Sequence, residues 1–162
     1  MNSLSLRRRQ CLTLLGLAAL PAHAANPRAL LTISGKTGSG LPAQFDLAAL
    51  QRLPQHSFTT HTPWVPGPQK FTGPLLRDLL KQVESRGTVL QASALNDYRI
   101  AIPASDAKQY DVVVAHLIDD KPIAVRERGP LFVIYPFDQW PQLRNTRYYQ
   151  RSIWQLKAIV LE

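Results

Sequence analysis

The 162-residue sequence predicts an α+β fold: a single compact domain with mixed β-sheets and a few short helices. Three observations lead there. Strand-like runs outnumber helical ones. They do not alternate regularly with helices, as a doubly wound parallel sheet requires. The one strongly amphipathic helix, within TGPLLRDLLKQV at 72–83, stands among β-prone segments.

The elements follow in order. LLTIS at 30–34 reads as a first strand and GKTGSG at 35–40 as a hairpin connection. The glycine-rich turn lacks the Gly-Lys-Ser/Thr ending of a phosphate loop. Asp46 caps a short helix at 47–53, which Pro54 ends. SFTTHT at 57–62 is the next strand, and Pro63, Pro66, Gly67 and Pro68 predict an irregular loop after it. Pro74 suits the first position of the amphipathic helix, whose Leu75, Leu76, Leu79, Leu80 and Val83 share one face, with Gly87 as the stop. Residues 98–102 and 111–117 are β-rich around a possible helical turn at 103–109, and DDKP at 119–122 is a turn. LFVIY at 131–135 reads as a buried strand that Pro136 ends. The closing run 153–161 predicts a strand with Trp154, Leu156, Ala158 and Val160 on one side.

The beginning of the chain is not expected to be part of this domain. A basic start, an apolar run at 11–20 and PAHA at 21–24 form a secretory signal peptide, 1–24, cleaved near Ala24. Arg8 and Arg9 resemble a twin-arginine signal, although Arg7 and Cys11 replace its usual polar and Phe positions; an ordinary arginine-rich signal serves equally. The domain is then 25–162, with a periplasmic location and no membrane span in the mature chain. The single cysteine, Cys11, leaves with the signal, so the domain has no disulfide, thiol nucleophile or thiolate metal ligand.

The formal charge is +8. Basic residues gather toward the end, at Lys121, Arg126, Arg128, Arg144, Arg147 and Arg151, against Glu127 and Asp138. An exported protein rarely meets nucleic acid, so nucleic acid is excluded as a partner. The cluster instead points to a small anionic ligand, an acidic periplasmic partner protein, or a solvated face.

Motifs for hydrolytic chemistry are missing: there is no Gly-x-Ser-x-Gly elbow and no His-Glu-x-x-His. His56 and His61, five apart in a strand, face opposite ways, and His116 in a β run reads as a hydrogen-bonded core or edge residue. What remains is a polar and aromatic set near strand ends: Asn96 and Tyr98, then Arg126 and Arg128, then Arg147 and Arg151 with their neighbours. Guanidinium forks suit phosphate and carboxylate oxygens, and aromatic rings suit a flat molecule. Tyr135 and Trp154 are expected in the core.

Taken in order, FTGPLLRDLL, ALNDYRIAIP, DVVVAHLIDDKPIAVRERGPLFVIYP and RSIWQLKAIVL resemble the sulfite-oxidase-type oxidoreductase molybdopterin-binding domain over most of 30–161. The resemblance implies a mixed α+β fold and a molybdopterin cofactor in a cleft. Gly129, Pro130 and Leu131 resemble the family's turn before its buried strand. Arg151 to Trp154 resembles the stretch whose basic residues help hold the pterin phosphate, although Gln155 stands where a second basic residue is usual. In active members a cysteine thiolate ahead of the helix binds molybdenum. Here that region reads Thr60, His61, Thr62, Pro63, Trp64. Neither a neutral hydroxyl nor an imidazole replaces a soft anionic thiolate. Thr60, His61, Trp64, Asn96, Tyr98, Arg126, Arg128, Arg147 and Arg151 are therefore the candidate cofactor- or ligand-binding residues, with no catalytic or metal-ligating residue among them. They favour a non-catalytic binder of a small anionic ligand or partner, in a sensory or accessory role. The alternatives are a small periplasmic molybdopterin-dependent oxidoreductase with a non-cysteine metal environment, and a purely structural domain.

Overall fold

A computed structural model describes residues 28–162. The signal expected at 1–24, with its arginines and Cys11, lies outside the described residues. The described chain is α+β. It runs β1 (Leu31–Gly35), β2 (Ala43–Phe45), α1 (Leu47–Arg52), β3 (Gln55–Thr62), β4 (Val65–Pro74), α2 (Leu76–Gln82), β5 (Val89–Ala94) and β6 (Arg99–Pro103). It continues with α3 (Ala104–Gln109), β7 (Val113–Ala115), β8 (Leu117–Ile118), β9 (Lys121–Pro122), β10 (Phe132–Ile134), a 3-10 turn (Pro141–Leu143), α4 (Thr146–Arg151) and β11 (Leu156–Leu161).

Three sheets share one core. The largest has the order β2-β1-β11-β5-β6, with β1 and β11 parallel. A four-stranded sheet has the order β3-β4-β8-β9, and β10 pairs with β7. Leu31, Ile33, Leu50, Phe71, Leu76, Leu79 and Leu90 are fully buried, as are Leu131 and Tyr135 flanking β10. Asp46 caps α1 as expected, its Oδ1 accepting the Ala49 N–H at 2.6 Å. No helix among the described residues is long and apolar enough to cross a membrane.

The proline-rich loop is mostly strand. Only Pro63 and Trp64 turn, and β4 pairs with β3 from Val65 onward, with an irregularity between His61 and Thr62. On its other side β4 pairs with β8 only at Phe71 and Thr72. Its Pro66 and Pro68 end is an open edge there, where a missing N–H costs no ladder bond. The helix start also moves. Pro74 ends β4, and α2 begins at Leu76 because the Leu76 N–H donates to the Val112 carbonyl at 2.8 Å and Leu75 bridges to Val113. That neighbouring strand holds Pro74 and Leu75 extended.

Several elements went unpredicted, among them the short β2, β9 and 3-10 turn, β5, whose small alternating residues carry a weak signal, and α4, a short helix with no buried residue. The predicted face of the last strand is also corrected. Leu156, Ile159 and Leu161 point inward while Val160 is exposed, because the pairing with β5 slips between Leu156 and Ala158. A one-residue slip exchanges the two faces of a strand.

The expected strand at 111–117 divides at His116 into β7 and β8, in different sheets. His116 is buried, and its Nε2 lies 2.9 Å from Gln55 Oε1. Gln55 donates through Nε2 to the Leu50 and Leu53 carbonyls, so its Oε1 accepts and His116 Nε2 carries the proton. Burial lowers the His116 pKa below the ordinary 6.5. A depressed folded-state value means that its stabilising contribution is complete above pH 6.5 and is lost as pH falls through the folded value. Chemical denaturation at a series of pH values should show that loss below pH 6.5, and His116→Gln should flatten it. A slope unchanged by the substitution would assign it to another group.

Candidate functional site

The tip of the β3–β4 hairpin, the turn between β5 and β6, and the segment from α4 into β11 meet at one cleft of about 300 Å³. Its aromatic walls are Trp64, Tyr98, Tyr149 and Trp154; Asn96 and Gln150 supply polar edges. Trp64 is the hub. Its ring centroid lies 5.6 Å from Trp154 and 6.0 Å from Tyr149, both edge-on, and 5.9 Å from Phe132 beneath. Such edge-to-face packing holds a ring in one orientation. A two-residue turn with proline before the tryptophan is what presents it there.

The opposite wall is set by local hydrogen bonds. Asn96 Oδ1 accepts the Tyr98 N–H at 3.2 Å, and Asp97 takes a positive φ of 65°. This shapes the β5–β6 turn. Tyr98 donates its hydroxyl to the Gln150 carbonyl at 3.3 Å, tying that turn to α4. Asn145 caps α4 by accepting the Arg147 N–H at 3.0 Å.

Three candidates from the sequence, Trp64, Asn96 and Tyr98, therefore line the same cleft. Arg128 stands beside it, with its guanidinium 5.8 Å from the centre of the Trp154 ring. Trp154, expected in the core, is half-buried and lines the cleft, whereas Tyr135 is core as expected. Arg126 is exposed in the turn between β9 and β10, and Arg147 is exposed on α4; neither lines the cleft. Gln155 shapes that turn by donating Nε2 to the Val125 carbonyl at 2.7 Å.

Arg151 turns inward. Its Nη1 donates to Asp106 Oδ2 at 2.9 Å, and the same oxygen accepts the Tyr135 hydroxyl at 2.8 Å. The side chains of Arg151 and Asp106 are 17% and 7% exposed. Burial pushes the Tyr135 hydroxyl well above its ordinary pKa, and the Asp106 charge adds to the effect. The structure thus does not bring Arg126, Arg128 and Arg151 together around one anion. Arg151 instead anchors α4, the helix that carries Tyr149 and Gln150.

Thr60 and His61 lie on the other side of Tyr149. Thr60 is fully buried and its Oγ1 accepts the Asp138 N–H at 3.0 Å. Asp138 Oδ2 accepts from both the backbone N–H and Nδ1 of His61, at 3.0 and 2.8 Å, and Oδ1 accepts from Arg144 Nη2 at 2.6 Å. Burial by itself pushes the Asp138 carboxyl up. The hydrogen bonds from His61 and Arg144 outweigh it and hold the group below the ordinary carboxylate value. Asp138 and Arg144 entered the sequence reading only as charges. His61 and Asp138 are 77 positions apart, and no local pattern connects them.

No family model matches the chain. No curated protein matches it. Its fold is similar to that of a solved structure, the sulfane dehydrogenase SoxCD from Paracoccus pantotrophus, with a TM-score of 0.63 and 15% identity. The match covers 81% of this chain and 37% of that one. At this identity the likeness is one of fold. It agrees with the α+β architecture that the sequence motifs imply.

The metal centre implied by the family resemblance does not fit these residues. Residues 28–162 contain no cysteine. At the expected thiolate region, the Thr60 hydroxyl accepts the Asp138 backbone N–H and the His61 Nδ1 donates to the Asp138 carboxylate. Among the described residues, no group of three or more His, Cys, Asp or Glu side chains is arranged to hold a metal ion. The aromatic cleft, by contrast, suits a flat organic ring. Its volume is at the lower end of the roughly 300–1,000 Å³ of small-molecule sites.

Proposed function

We propose that this chain is an exported, non-catalytic binding module that captures a flat, polar heteroaromatic molecule of the pterin class in the Trp64 cleft and serves a sensory or accessory role in the periplasm. The observation that carries this reading is the convergence of Trp64, Tyr98, Tyr149 and Trp154 on one cleft with Asn96 and Gln150 at its edge. Aromatic walls bind a π-surface, while two carboxamides offer donors and acceptors to the edge of a heterocycle. Arg128 at the rim favours negative charge on the ligand. Thr60 and His61 in the expected thiolate region support binding over redox catalysis, because neither side chain is a soft anionic donor for a metal.

The test is to isolate the protein from the periplasm of a molybdenum-supplied native host, measure its metal and pterin content, and titrate it with neopterin while following tryptophan fluorescence. The expected result is saturable one-to-one binding of neopterin without stoichiometric molybdenum. Stoichiometric molybdenum together with a dithiolene pterin would transfer the assignment to a molybdopterin-dependent oxidoreductase. Failure of neopterin to bind would remove the pterin-class reading of the cleft.

A further inference from the structure

We propose that the hollow built on His61 and Arg144 is an anion subsite that takes the phosphate or carboxylate substituent of a ligand whose ring lies against Trp64. The inference rests on the ring-binding reading of the neighbouring cleft and adds the chemistry of the ligand's tail. This second hollow, of about 390 Å³, is lined by His61, Thr62, Pro63, Arg144 and Tyr149. Tyr149 belongs to both depressions, and Pro63 directly precedes Trp64. A ring on one side of Tyr149 can therefore extend a short substituent to the other.

Several observations indicate an anion. Arg144 is half-exposed and fixed from behind: its Nε donates to the Phe137 carbonyl at 3.1 Å and its Nη2 to Asp138, which leaves Nη1 without a partner among the described residues. Asp138 does not repel an incoming anion strongly, because its two oxygens already accept three hydrogen bonds and Arg144 balances its charge. An ionised carboxylate only accepts, so His61 Nδ1 carries a proton and Nε2 is the free ring atom. Nε2 accepts from a monoprotonated phosphate. Beside them the Thr62 hydroxyl is buried and has no partner among the described residues. Arg151, which the family resemblance offers for a phosphate contact, is turned inward against Asp106 and does not line this hollow.

Neopterin and neopterin monophosphate share a ring system and differ in the anion, so titrating both into the purified protein isolates the subsite. The monophosphate should bind about tenfold or more tightly than neopterin, the gain of one good charge-assisted hydrogen-bond set. Arg144→Gln and His61→Gln should each reduce that margin to about threefold or less while leaving neopterin affinity within about twofold, which also shows that the variants fold. Arg144→Lys, which keeps the charge, should retain part of the margin. Pterin-6-carboxylate in place of the monophosphate distinguishes a carboxylate tail from a phosphate one. The subsite is overturned if the wild-type protein shows no preference for either anionic ligand, or if the preference survives both Gln substitutions. If neopterin and its derivatives do not bind at all, the ring-binding reading falls instead. Inorganic phosphate alone then decides the subsite, by moving the His61 ring resonances in the wild-type protein but not in Arg144→Gln, or by leaving both unmoved and overturning it.

Discussion

Trp64→Ala should weaken neopterin binding by about 30-fold or more, equivalent to about 2 kcal/mol, the scale of an aromatic anchor at the centre of a site. Trp64 packs against two aromatic rings of the cleft wall, Trp154 at 5.6 Å and Tyr149 at 6.0 Å, and against Phe132 beneath them at 5.9 Å. Removing it takes away one wall and also releases the rings that it orients. The protein should lose about 2–3 kcal/mol of stability as well, since the substitution leaves a hole above Phe132. Titration and denaturation separate the two effects. Tyr98→Phe, which keeps the ring and deletes only the hydroxyl bond to the Gln150 carbonyl, should change affinity by less than about threefold. Unchanged neopterin affinity in a folded Trp64→Ala protein would show that the ring binds elsewhere.

Arg151→Ala should cost about 3–5 kcal/mol of stability, the loss expected when one partner of a buried ion pair is removed. Among the described residues, Asp106 would be left with a buried carboxylate held only by the Tyr135 hydroxyl. The guanidinium also lies 5.3 Å from the centre of the Tyr148 ring, so lysine should restore the charge but not the packing. Combining Arg151→Ala with Asp106→Asn should cost less than the sum of the two single changes, because an uncharged Asn needs no counterion and still accepts from Tyr135. A loss below about 1 kcal/mol in Arg151→Ala, as for a solvated surface pair, would contradict the buried geometry. The same experiment separates two roles for this arginine. An anion contact would reduce ligand affinity and leave the melting temperature in place, whereas an anchor for α4 lowers the melting temperature first.

The sequence alone determined the class of the fold and several of its parts, because the signals concerned are local. Asp46 ahead of LAALQR announces a capped helix, and the leucines of α2 repeat at helical spacing. LFVIY, a β-rich apolar run ended by proline, is legible as buried structure for the same reason. Trp64, Asn96 and Tyr98 were legible as candidates because their neighbours resemble a known order of motifs. Pairing decided the rest. Pro66 and Pro68 lie in a strand because their side of β4 is an open edge, and Val160 faces outward because a slip in register exchanged the faces of β11. Arg151 and Arg144 are both arginines in a basic stretch, yet one folds onto Asp106 and the other stands beside Asp138 and His61. Composition and spacing describe a charge but not the side chain that it meets. Only the tertiary structure brings together His61 and Asp138, because a hydrogen bond across 77 residues depends on how the intervening strands pack.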